Sequence, residues 1–444
     1  MALADLQPDL PPQRRANTIG PNRIRSNRTF TLSGISSRLI KHHLIGFMHT
    51  SITRQEIFIR FALVLVCAGF WRGELNYFSF PMLIIACLMD GGLYRLHQAL
   101  KLPLVQAIVL LCTLLLVGLL WSELPDHGKM KWVKYFILLM LIPFYLLLNK
   151  ERMPWAIGGL ITGYLLVLGL GVYQWQVTGE QGIALLNMSY LSFSAMLGAG
   201  AIVSVGLACM SRSVPLAIVL WIVAIALIYV QFHQYGRVLL LATLMAIVLQ
   251  TYLRYKLDIR KFFGIFAAVS IAAGIFAYSS PAFQERLLLV KNDIELLQGG
   301  NYSSSLGYRL AMWDVGLHSI AERPWTGYGT GAPERYFDTT IQTYKNGLYK
   351  DLPAFQKTSH YHNDWIEIGM HIGIGGLLAL LFLYWAWYQT FRRIGLGLLG
   401  AGLVSYVFLA GLTDAFLIFS RMPVLLLVIT AIAMRWQQQK PERI

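Results

Sequence analysis

The chain of 444 residues is 56% hydrophobic and only 13% charged, whereas soluble domains carry about 25% charged residues. Apolar runs that recur along its length, with a mean hydropathy of +0.55, exclude a string of two or three soluble domains and predict a polytopic membrane protein. The net charge of +15 does not indicate nucleic acid, because the basic residues cluster between apolar runs and in the N-terminal segment, as topology signals do.

Residues 1–54 are polar and rich in Ser, Asn, Pro and Arg, and read as a cytoplasmic basic tail whose cations can touch anionic lipid. The first apolar run starts too late, and lacks the small-residue cleavage site, for a removed signal peptide. Runs that approach the length of a membrane span lie at 56–71, 77–92, 103–121, 132–149, 155–175, 190–210, 216–233, 238–253 and 262–279. Three more lie at 365–389, 397–413 and 418–435. A span needs about 20 apolar residues, because lipid offers no partner for an unpaired backbone group. The expectation is an all-α polytopic protein of about 12 transmembrane helices. Nine fall within 55–279 and three within 364–435, with a cytoplasmic tail at 436–444. With the N-terminal tail inside, Arg95, Arg152, Arg254, Arg260, Arg392 and Arg435 fall inside too, a positive-inside bias.

Residues 280–363 break the pattern of short connections and fall outside, as a large periplasmic loop; loops of such length are usually functional. Within it, Leu310, Trp313, Leu317 and Ile320 recur at helical spacing and predict an amphipathic helix at the membrane surface. The four cysteines, Cys67, Cys87, Cys112 and Cys209, all fall in apolar runs without metal or disulfide spacing, and read as small membrane-core hydrophobes.

The loop ends in Ser359-His360-Tyr361-His362-Asn363-Asp364 and runs into the tenth span. A histidine at the head of a membrane helix can accept a proton near neutral pH, and can equally cap the helix or anchor it in the interface. Nine residues after Asn363 come Gly373-Ile374-Gly375-Gly376, small residues that admit a close neighbour. Arg237, in a tight outside turn, and Arg309, in the loop, can each snorkel to headgroup phosphates or hold a substrate anion. Gly327–Gly331 lacks the Lys-Ser/Thr of a phosphate loop and predicts a turn that folds the loop back on the spans. Tyr361, Trp365, Trp313 and Tyr328 suit sugar stacking or an interfacial aromatic belt. Arg421 and Asp414, in the last outside turn, are expected to pair. No Asp-x-Asp, HExxH, Cys/His cluster or nucleotide motif occurs, so neither a metal site nor a cofactor is predicted.

His362-Asn363, nine residues, then Gly373-x-x-Gly376 resembles the signature shared by O-antigen ligases and bacterial protein O-oligosaccharyltransferases, and its spacing selects His362 over His360. Gly236-Arg237 is similar to the turn that this family carries between two spans. Arg309, followed by Trp313 and Pro324-Trp325-Thr326-Gly327-Tyr328-Gly329, looks like the wider ligase and polymerase superfamily. The resemblance covers most of residues 56–435 and its three motifs occur in the family's order.

The resemblance implies a GT-C-like glycosyltransferase of the bacterial inner membrane, with both termini cytoplasmic and a periplasmic active site. It implies transfer of O-antigen glycan from undecaprenyl diphosphate to lipid A–core oligosaccharide, by an inverting displacement without metal or cofactor. His362 would be the general base, Arg237 and Arg309 would hold the diphosphate, and Asn363, Gly373 and Gly376 would support them. Arginine suits that task because its planar fork binds phosphate oxygens in pairs and keeps its charge. The rivals are a protein O-oligosaccharyltransferase, an O-antigen polymerase, and, outside enzymes, a lipid-linked glycan flippase. The histidine motif argues against the polymerase, and the scarcity of mid-span charge argues against the flippase.

Overall fold

The computed structural model describes residues 53–122, 130–234, 236–256, 258–260, 262–264, 266–267, 270, 274, 278, 281–357, 360–419 and 421–438. Among them the regular structure is helical, apart from one isolated bridge between Ile183 and Met188. Six helices are long and apolar enough to cross a membrane: Pro103–Trp121, Met153–Thr178, Tyr190–Met210, Val214–Phe232, Arg237–Tyr255 and Asp364–Arg393. The count rises to seven if a bent pair, Gly73–Met89 with Gly92–Ala99, is one span.

Other expected spans form shorter or broken helices, for local reasons. The run at 77–92 bends by 101°, because Gly91 takes the left-handed conformation (φ 71) that side chains disfavour. The run at 132–149 starts as a 3-10 segment, Lys131–Met140, and tightens into an α-helix only at Leu141–Leu147. Arg54–Gly69 and Gly397–Gly411 have 16 and 15 residues. The run at 262–279 lies largely, and the tail expected at 1–54 almost wholly, outside the described residues.

In lipid no hydrophobic force pulls apolar helices together, so close backbone packing must do it. Gly159 and Gly163 sit one turn apart on Met153–Thr178, where an added Cβ would lie 3.2 Å from Val64 Cα and 2.8 Å from Ala68 Cα. This is a small-xxx-small crossing with Arg54–Gly69. On Val214–Phe232, Ile218, Ile222, Ile225 and Tyr229 are at least half exposed at helical spacing. That stripe would be a liability in water and is an ordinary outer wall in lipid. All four cysteines are free and buried, as expected.

One end of the bundle gathers charges read as inside. Arg152 pairs with Glu56 and Asp90, both at 2.7 Å; Arg60 joins Glu56 at 2.8 Å, and Arg95 also binds Asp90. At the opposite end, residues 281–357 fold as helices Pro281–Gln298, Ser305–Glu322, Pro333–Thr340 and Leu352–Phe355. They enclose a small core in which Tyr308, Met312, Val315 and Phe337 meet Tyr361 and Met370. The predicted helix exists, and of its four spaced residues Trp313 and Ile320 pack against this core. Tyr308, Ala311, Met312, Val315 and Ser319 are its buried side, whereas Leu310 and Leu317 remain 38% and 59% exposed. The cause is tertiary, since the buried face packs on the segment that carries the histidines.

Candidate active site

The Asp364–Arg393 helix begins at Asn363, whose Oδ1 accepts the Trp365 and Ile366 N–H groups at 2.9 and 3.1 Å. Such a cap satisfies donors that the first turn leaves open. Asn363 Nδ2 also donates to the Leu412 carbonyl at 2.8 Å, and Asp364 accepts from Leu417 N. One cap therefore ties the start of this helix to the turn that carries Asp414. Just before it, His362 has φ 48, a left-handed conformation costly for a non-glycine residue and characteristic of functional sites. Trp313, on the Ser305–Glu322 helix, holds this bend by donating to the His362 carbonyl at 3.3 Å.

The bend aims two histidines at one acid. His362 Nδ1 lies 3.0 Å and His360 Nε2 3.1 Å from Asp414 Oδ1, and their ring centroids are 4.1 Å apart. Burial alone would raise the Asp414 carboxyl, but the hydrogen bonds from His360 and His362 outweigh it and hold the group below the usual carboxylate range. Burial lowers His362, Asp414 partly opposes that, and His360 and Arg309 lower it further. A neutral imidazole oriented by a carboxylate is the arrangement of a general base.

The cluster departs from the expected Arg421–Asp414 pair. Arg421 instead donates to the carbonyls of Trp71, Leu186 and Asn187, at 2.6, 2.8 and 3.1 Å. Its helix start faces two connections rather than the Asp414 turn, so backbone carbonyls satisfy it. His360, His362 and Asp414 also offer three ligand atoms within 4.8 Å of one another, a spacing that a metal ion could use. Both imidazoles, however, address the same Oδ1, which also accepts the Ala415 N–H at 2.9 Å. The group is arranged as a hydrogen-bonded cluster around one oxygen.

Cations surround it. Among the described residues Arg309 donates only to Ser305, at 3.1 Å to its carbonyl and 2.7 Å to its hydroxyl, and its buried Nε has no partner there. Its charge is near enough to act on His362. Lys131 Nζ is 3.3 Å from His360 Nδ1, and Glu334, whose carboxyl is raised by burial, faces both Lys131 and His360. Arg237 opens the Arg237–Tyr255 helix, which packs on Gly397–Gly411. Gln250 meets Leu398 O and lies beside Gly402, while Thr243 and Tyr406 both line Gly198. That antiparallel register puts Arg237 at the end where Asp414 lies, without a contact to the histidine cluster among the described residues.

The glycines of the motif act at a distance from the base. The helix breaks at Ile372 (φ −141) and Gly373 (φ 63, ψ −153), and the break frees carbonyls that the glycine loop uses. Tyr328 N donates to Met370 O at 2.8 Å, Gly329 N to His371 O at 3.0 Å, and Ile374 N to Pro324 O at 2.7 Å. A Cβ on Gly373 would lie 2.6 Å from Pro324 O, and one on Gly376 2.4 Å from Ile372 Cγ1. The loop then reaches the Pro103–Trp121 span, where Thr330 Oγ1 donates to Leu115 O at 2.7 Å. Gly327–Gly331 thus folds back on the spans as expected. Beneath it, Gly331 N donates to His371 Nδ1 at 3.1 Å, and Glu367, beside His371, accepts the Tyr361 N–H at 2.7 Å.

The structure brings His362, Asn363 and Arg309 together, places Arg237 at the same end, has Gly373 admit the Pro324–Trp325 backbone, and packs Gly376 against Ile368 and Ile372 of its own helix. Asp414, His360, Lys131 and Glu334 join the site without any motif, because their partners come from distant parts of the chain. The sequence profile described as "O-Antigen ligase" matches residues 101–381, more than half the chain. A curated O-antigen ligase of Escherichia coli (strain K12) is 27% identical over 162 residues, 36% of this chain and 37% of that protein. That alignment spans little more than a third of the relative's length.

Proposed function

Since the chain belongs to the O-antigen ligase family, we propose that it transfers an O-antigen glycan from undecaprenyl diphosphate onto lipid A–core oligosaccharide. The observation that carries this reading is the histidine held at 3.0 Å from Asp414, near an arginine whose Nε has no partner among the described residues. Together they supply a base and a site for a developing negative charge. In the proposed step the acceptor hydroxyl gives its proton to His362 Nε2 while its oxygen attacks the anomeric carbon. The bond from that carbon to the diphosphate breaks, and undecaprenyl diphosphate leaves with the electron pair. Asp414 keeps the Nδ1–H of His362 directed away from the acceptor and stabilises the imidazolium that forms. Arg309 and Arg237 hold the diphosphate, where charge grows as the bond breaks. Attack opposite the leaving group inverts the anomeric configuration.

In this reading the chain is a GT-C-like glycosyltransferase of about 12 spans in the inner membrane. Its termini are cytoplasmic, and residues 280–363 form a periplasmic loop over the site. The structured loop helices at the histidine end, and the basic cluster at the other, support that orientation. The test is ligation by purified protein from undecaprenyl-diphosphate glycan and lipid A–core, with and without a chelator and without nucleotide. Glycosylated lipid A–core with released carrier diphosphate, unaffected by the chelator, is expected. Lengthening of the donor glycan alone, or no transfer, would overturn the assignment.

A further inference from the structure

We propose that Lys131 is a positioning residue that keeps His360 neutral, and so reserves the Asp414 carboxylate for the imidazolium that forms on His362. The inference rests on His362 acting as the base and adds a residue outside every motif.

The argument begins with donors and acceptors. Lys131 Nζ lies 3.3 Å from His360 Nδ1, and an ammonium has three donors and no acceptor. His360 Nδ1 is therefore the unprotonated nitrogen, and its proton sits on Nε2, which donates to Asp414 Oδ1 at 3.1 Å. His362 addresses the same ionised oxygen with Nδ1 at 3.0 Å, so its Nδ1 carries the proton and its Nε2 keeps the lone pair. One lysine and one carboxylate thus define the tautomers of both imidazoles.

The consequence is electrostatic. The rings are 4.1 Å apart, so a charged His360 would repel the charge that develops on His362 and claim the same oxygen. Protonating His360 requires a proton on Nδ1, facing the Lys131 ammonium. Other charges face the pair from each element packed on it: Glu334 from Pro333–Thr340, Glu367 from the Asp364–Arg393 helix, Arg309 from Ser305–Glu322, and Asp414 from the turn. The two glutamates temper the local positive charge, but a carboxylate cannot donate to Nδ1. The contact at 3.3 Å makes Lys131 the donor that addresses Nδ1.

The test is the pH dependence of kcat/KM for ligation by the purified full-length protein. Lys131→Met keeps the side-chain stem and removes the charge. Its acid limb should move up by about one pH unit, the scale on which a neighbouring charge shifts a group. The limb should also steepen to a two-proton dependence, because His360 can now charge. Lys131→Arg, which again only donates, should keep the wild-type position and slope, showing that a cation at this place still folds and works. The double variant Lys131→Met/His360→Gln should return to a one-proton slope. An unmoved limb in Lys131→Met, whatever the rate, would overturn the proposal, as would a moved limb that stays one-proton. Failure of the base assignment would look different: His362→Ala would then turn over at the wild-type rate with its acid limb intact.

Discussion

Arg152 and Asp414 lie at opposite ends of the bundle and are equally enclosed, each 6% exposed, yet their surroundings differ in kind. Around Arg152 each ionic partner is answered: its guanidinium meets Glu56 and Asp90, Arg60 adds to Glu56, and Arg95 adds to Asp90. The Leu147 carbonyl takes a further donor at 3.1 Å. Around Asp414, one carboxylate serves two imidazoles, while among the described residues Arg309 nearby has no carboxylate partner and a buried Nε without a hydrogen bond. A buried network complete in itself holds helices in register. The other leaves the Arg309 guanidinium without a carboxylate among the described residues, which in the proposed function is the place for an anion that arrives with substrate.

Substitutions should separate the two ends. The largest effect is expected for His362→Ala, a loss of about 10²–10⁴-fold in ligation rate, with the melting temperature in detergent nearly unchanged. Arg152→Met should do the reverse. Leaving Glu56 and Asp90 unpaired costs about 3–5 kcal/mol, seen as a lowered melting temperature, whereas the protein that remains folded ligates with the wild-type pH profile. Arg309→Ala should lower the rate by about 10²–10³-fold, as removal of one transition-state donor does, and should weaken inhibition by the product diphosphate. If Arg309→Ala instead lowered stability and left ligation intact, the two ends would not differ as described.

Smaller effects sharpen the same contrast. Gly373→Ala places a side chain in a conformation almost reserved for glycine, a strain of about 1–3 kcal/mol, besides the clash with Pro324 O at 2.6 Å. Loosening of the Pro324–Gly331 loop, read as faster proteolysis there, is expected before any global unfolding. The smallest shift concerns pH. His362 sits below its ordinary range, so the unprotonated base persists below about pH 6.5 and the acid limb of kcat/KM lies lower than that. Asp414→Asn removes a contribution that raises His362, so the limb should move lower still while the rate at neutral pH falls. An upward move would contradict the role given to Asp414.

Much of the architecture is local and therefore legible in the chain. Apolar runs of near-span length give helices, small residues inside them mark close crossings, and Gly327–Gly331 marks a turn. Even so, helix limits and faces depended on neighbours. Gly91 bends one run, Lys131–Met140 winds as a 3-10 segment, and the Ser305–Glu322 helix turns Leu310 and Leu317 outward. The candidate site was legible where its chemistry is contiguous: His362, its cap Asn363 and the glycines that follow. Arg309 stands out in the sequence as a charge between apolar runs, but that this charge acts on His362 is a tertiary fact.

What the sequence determines by itself is a helical membrane protein with a histidine at the head of a late span, because backbone hydrogen bonding in lipid admits few other solutions. What only the tertiary structure decides is the company that histidine keeps. Asp414 lies 52 positions from His362, and Lys131 lies 229 positions from His360. No periodicity links residues so far apart. They meet because the Asn363 cap, the break at Gly373 and the packing of neighbouring spans bring them to one place.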